Sequence, residues 1–214
     1  MDLIVPVVLG FSVSFVATLL PGLLNMTAAK ISVREGRTNA RFFGVGASFI
    51  LFIQAYVAVT FAKLINRSPD VLLYIQEAGV CIFGILTIYF FFFAKKKKKE
   101  EDEEAAEELA KTRSRVGNFF LGALISALNF FAIPYYVFLG ISFSANKAFE
   151  FTNLYIFIFV LGAALGAYAV FYLYILGFKK FEDKTEFFMR NVNYFIGTVT
   201  GVVAIVTLIK MLRN

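Results

Sequence analysis

The sequence predicts an all-α integral membrane protein with six transmembrane helices, arranged as two inverted three-helix repeats. Three observations carry this. Of 214 residues, 59% are hydrophobic and 28 are phenylalanine, and the mean hydropathy is +0.75, a balance that a water-soluble core cannot absorb. The apolar residues come in six blocks free of Asp, Glu, Lys and Arg, at 3–29, 42–62, 78–94, 116–146, 151–178 and 191–209. The first and fourth blocks each hold an interior proline, Pro21 and Pro134, 18 residues after the block begins. Each of these blocks leads a group of three, and an odd number of crossings makes the second group run in the opposite sense.

The first block opens on Met-Asp rather than a basic region and has no small-residue cleavage site, so it is expected to be a retained helix and not a leader. Its positions Ser14, Thr18, Pro21, Gly22 and Asn25 recur at intervals of three and four and share one helical face. Pro21 lacks a backbone donor and frees the carbonyl of Ala17. The second block holds Gln54 and reaches spanning length, about 20 residues, unaided.

The third block is short. Starting it near Val71 gives the needed length and puts Glu77 about two turns inside the membrane edge. A carboxylate at that depth is a candidate carrier of a coupling proton, and a shallow one reaches headgroup water instead. The segment KKKKKEEDEEAAEELAK over 95–111 has good helix formers and no core residues. It is expected to be a solvated loop that fixes topology, or one that docks on anionic lipid through its lysines.

The fourth block repeats the polar face of the first, with Gly122, Ser126, Asn129, Tyr136 and Gly140, and Pro134 frees the carbonyl of Phe130. Freed carbonyls in hydrocarbon find partners or line a wet cavity. Two broken helices bearing Asn25 and Asn129 therefore predict a polar site between the halves; the alternative is that the asparagines only glue helices together. In the fifth and sixth blocks, Gly162 with Gly166 and Gly197 with Gly201 read as packing seams, within one protomer or between two. Tyr168 and Tyr172 either pack or present hydroxyls to a solute.

Orientation follows from the basic residues. Sixteen of the 21 Lys and Arg fall after blocks one, three and five, which makes 30–41, 95–115 and 179–190 cytoplasmic and puts both termini outside. The layout is one membrane domain over 1–214, with half one 1–94, a charged loop 95–115 and half two 116–214. That rule accounts for the +6 net charge without nucleic acid. With no histidine, histidine relays, histidine metal ligation and serine-histidine chemistry are excluded. One cysteine, Cys81, excludes a disulfide framework. No cofactor motif is visible, and no cofactor or metal is expected.

The run SVSFVATLLPGLLNMTAAKISVREGRTNARFFGVGAS resembles the first helix, loop and second helix of the LysE/RhtB amino-acid exporter family. That family's first span ends in a Pro-Gly-Pro and Asn signature, here Pro21, Gly22 and Asn25 with Leu23 in place of the second proline. The segment FLGALISALNFFAIPYYVFLG is similar to the family's fourth span, with Asn129 matching an Asn-Pro-Lys signature, Pro134 displaced and the lysine missing. Length, six spans, a charged third loop and Gly79 extend the likeness over the whole chain.

The resemblance implies export of an amino acid or related small solute across the bacterial cytoplasmic membrane, driven by the proton or potential gradient. The expected solute site comprises Asn25, Asn129, Pro21, Gly22, Pro134, Thr18, Ser126 and Gln54, with Glu77 for coupling and the bilayer, the solute and possible further copies of the chain as partners. An intramembrane enzyme lacks the inventory of acids, histidines or a nucleophile pair. A non-transporting assembly or scaffold protein and a cation exporter of the same fold remain as alternatives, the latter with few soft ligands for a transition metal.

Overall fold

In the computed structural model, the described residues are 3–66, 80–81, 84–85, 87–93, 109, 112–129, 131–145 and 151–213. Among them are six α-helices, a π-helical turn at Tyr89–Phe93 and no strand. The helices are α1 (Ile4–Leu19), α2 (Leu23–Glu35), α3 (Arg37–Asn66), α4 (Arg115–Ala127), α5 (Ala132–Ala145) and α6 (Asn153–Arg213). Two unbroken stretches are long and apolar enough to cross a membrane, Arg37–Ile65 and Asn153–Gly177, with mean hydropathies of 2.0 and 2.3. Two more candidates are bent pairs: α1 and α2 meet at 78°, α4 and α5 at 64°. The described residues thus hold between two and four candidate spans.

Expected and observed boundaries differ in three places. The connector expected over 30–41 shrinks to one residue, Gly36, between α2 and α3, and the connector expected over 179–190 is helical within α6. Charge marks where a chain leaves hydrocarbon, not where a helix ends, and 179–190 has neither Gly nor Pro to stop it. Gly36 has φ +89°, a backbone region where a Cβ is strained. Gly36→Ala meets no neighbouring atom within 4 Å, so its expected cost of about 1–3 kcal/mol is pure backbone strain; thermal unfolding of the purified variant measures it. Glu77, Gly79 and most of 95–115 lie outside the described residues.

By contact the chain divides into two compact units, Met1–Leu64 with Glu100–Glu182, and Ile65–Lys99 with Asp183–Asn214. Each takes residues from both expected halves. In the second unit, a Cβ at Gly201 would approach Thr87 at 3.3 Å.

In the first unit α3 sorts its residues by face. Ala47, Ala55, Ala58, Val59 and Ala62 are buried, while Val45, Phe49, Ile53, Val57, Phe61 and Leu64 form an exposed stripe at helical spacing. Such a stripe would aggregate in water and is matched to acyl chains. The inner face packs with Tyr136 of α5 and Tyr155, Ile156, Phe159, Val160 and Ala163 of α6. A second cluster joins Ala28 and Ile31 of α2, Ala40 and Phe43 of α3, Leu121 of α4 and Ile175 of α6.

Glycines set the closest approaches, and they do so twice in the same way. A Cβ on Gly10 of α1 would overlap the backbone carbonyl of Phe159, and one on Gly162 of α6 would overlap that of Val7. A Cβ on Gly122 of α4 would overlap the carbonyl of Phe43, and one on Gly46 of α3 that of Phe119. In both crossings each glycine lies over the carbonyl three residues before its partner glycine. Gly166 adds a further turn to the first crossing, against Phe11. The seam expected at Gly162 and Gly166 therefore lies within one chain.

Candidate functional site

The first break spans Leu20, Pro21 and Gly22. A helix that ends inside a protein leaves its last carbonyls without partners, and here side chains supply them. The Asn25 amide nitrogen donates to the carbonyls of Thr18 at 2.7 Å and Leu20 at 2.8 Å. The Tyr174 hydroxyl of α6 donates to the carbonyl of Leu19 at 3.1 Å; the Tyr135 hydroxyl of α5 donates further inside α1, to the carbonyl of Val13 at 2.9 Å. Asn25 is 3% exposed, and its amide oxygen has no partner.

The second break, around Leu128 and Asn129, is served from another helix. The Gln54 amide nitrogen of α3 lies 3.3 Å from the carbonyl of Ser126 and 3.5 Å from those of Ala127 and Asn129. Its amide oxygen is buried without a partner. Both breaks thus share one chemical solution, in which an amide donates to helix-end carbonyls and keeps its oxygen free. In Asn25 that amide is local to the break; in Gln54 it comes from 72 residues away.

Two expected placements change. Asn129 is exposed, and no hydrogen bond joins it to Asn25; Gln54 is the residue equivalent to Asn25. Pro134 lies in the first turn of α5 and not at the break, where a missing N–H costs little because that position has no intrahelical acceptor. Pro21 and Gly22 do form the first break. Tyr168 and Tyr172 stack on each other at 6.4 Å, and Tyr172 accepts a hydrogen bond from Arg41 at 3.2 Å beneath its guanidinium. Tyr135 and Tyr174 carry the hydroxyls that reach the first broken helix, and their partners are 122 and 155 residues distant.

A carboxylate that sequence reasoning passed over ties these elements together. Glu35, the last residue of α2, accepts from the Asn118 amide at 2.7 Å, the Asn39 amide at 3.1 Å and the Arg113 backbone N–H at 3.0 Å. Asn118 is fully buried. Glu35 thereby fastens the end of the first broken pair to the start of α3 and of α4. Glu35→Gln turns one acceptor oxygen into a donor that faces other donors. The expected loss is about 1–3 kcal/mol of stability, the usual worth of hydrogen bonds to a charged group, read as a lower unfolding midpoint. The signal for it was an acid directly before a hinge glycine.

Residues 15–211 match the family model described as LysE type translocator. The chain belongs to that family. As a LysE type translocator it is a membrane transporter, which accounts for bent helices and a lipid-matched face in one molecule. Comparisons with curated proteins and with solved structures give no match.

Proposed function

We propose that this LysE type translocator exports an amino acid or related small solute across the bacterial cytoplasmic membrane, through a site built on its two broken helices. The observation that carries the reading is the pair of bends, each with capped carbonyls and a buried amide oxygen left free at Asn25 and Gln54. Irregular backbone at membrane depth is tolerated only where protein buries it or a polar cavity lines it. Thr18 and Ser126 contribute carbonyls to the same two ends.

The two glycine crossings support an inverted repeat. In the proposed repeat α1 corresponds to α4 and α3 to α6, so the contact of α1 with α6 has its counterpart in the contact of α4 with α3. Six spans with both termini outside complete that arrangement, and rocking of one repeat against the other gives alternating access. Coupling to Glu77 is part of the same proposal.

The test is efflux from proteoliposomes loaded with a panel of labelled amino acids, comparing the native chain with the Asn25→Ala, Gln54→Ala double variant. Selective loss of efflux in folded variant protein supports the site. Equal efflux removes it, and no efflux of any solute from the native chain favours a scaffold.

A further inference from the structure

The first turn of α2 is rich in hydrogen-bond donors. Its N-cap, Gly22, supplies no side-chain cap, and the backbone N–H groups of Leu23, Leu24 and Asn25 have no acceptor among the described residues. The first N–H groups of a helix have no intrahelical partner and sit at the positive end of the helix dipole, an arrangement suited to a carboxylate or other anion. Space is open beside Gly22, where an added Cβ would meet nothing within 4 Å.

A second feature of the same turn points to a ligand. Asn25 is 3% exposed with an unpartnered amide oxygen. Its orientation is fixed, since turning the amide over would set that oxygen against the carbonyls of Thr18 and Leu20, at 2.7 and 2.8 Å from the present nitrogen. A free acceptor is therefore held at the break, on the residue whose backbone N–H is the third of the free donors. No Asp, Glu, Lys or Arg occurs between Leu3 and Ala29, so a lone anion or a lone cation would find no counter-charge in α1, at the break or in the first turn of α2. A ligand that brings both charges on adjacent atoms needs none.

We infer that the first turn of α2 seats the carboxylate of a free α-amino acid, and that the Asn25 amide oxygen receives its ammonium group. This rests on the export reading and adds which end of the solute goes where. The second break does not duplicate the seat. In α5 the Ala132 N–H is already bonded to the Asn129 carbonyl at 3.3 Å, and Pro134 has no N–H, which leaves Ile133 alone.

The test uses the full-length protein in lipid nanodiscs. Thermal shift is measured with each common L-amino acid, then with the carboxamide and the N-acetyl derivative of every one that binds, and proteoliposome efflux is measured in parallel. At least one free amino acid is expected to bind, with both derivatives weaker by at least about tenfold, since a site built for a hydrogen-bonding group rejects analogues that lack it. Leu23→Pro removes one donor at the first helical position, where proline is tolerated after an extended Gly22 (φ −154°, ψ 178°). It is expected to weaken the free amino acid several-fold and leave the ligand-free unfolding midpoint unchanged.

Carboxamides that bind and leave as well as the free acids would overturn the carboxylate seat while export stands. A folded Leu23→Pro protein with native affinity would do the same. If no amino acid binds or leaves, the seat and the export reading fall together.

Discussion

Gly122→Val should leave no folded protein to purify, while Gly22→Ala should unfold at the native midpoint. At Gly122 even the first carbon of a side chain overlaps the backbone carbonyl of Phe43, and the next nearest atom is the backbone nitrogen of Ala47 at 3.1 Å. No side chain can rotate out of the way; α3 and α4 must separate. Overpacking alone costs about 1–3 kcal/mol, and separation also breaks the reciprocal contact at Gly46 and opens the packing of Leu121 against Ala40 and Phe43. Gly22 is extended and has open space around it. Size-exclusion profiles of detergent-extracted protein compare the two. A monodisperse Gly122→Val protein of native stability would show that the helices do not cross at that distance.

Asn25→Asp is expected to be worse than Asn25→Ala, although it is the closer match in shape. Alanine leaves the carbonyls of Thr18 and Leu20 without the donor they have now, a loss of about 1–3 kcal/mol. Aspartate puts an oxygen where the nitrogen was, between two carbonyl oxygens and at a position that is 3% exposed. An unpaired buried charge costs about 3–5 kcal/mol. Efflux should fall in both variants, with the unfolding midpoint lowest for aspartate. The reverse ranking would mean that the Asn25 nitrogen does not cap α1.

How much of this was readable depended on distance along the chain. The first break was legible because Pro21, Gly22 and Asn25 are all local to it, and the broken helix end at Thr18 and its cap at Asn25 are only seven positions apart. The second break was located only approximately. Proline signals that a helix is interrupted but also starts helices well, and Pro134 does the latter, several residues after the chain has turned at Asn129. Asn129 matched Asn25 by type and setting, yet the amide that caps the second break is Gln54, from another helix. Its role comes from the crossing at Gly46 and Gly122, which brings α3 against α4.

Sequence by itself determined that the chain lives in a membrane, that helices carry it across, and that the first and fourth apolar blocks are interrupted. These are consequences of solvent: hydrocarbon demands long apolar runs and internally satisfied backbone, and both leave a pattern legible one residue at a time. Only the tertiary structure decided which side chains satisfy the interrupted ends, which glycines touch, and that Glu35 holds α2 to α4. Apart from the local Asn25 cap, each of those depends on short-range contacts between residues tens to more than a hundred positions apart. A hydrogen bond or a backbone contact is specific to within a few tenths of an ångström, and spacing along a chain carries no information at that scale until the helices have docked.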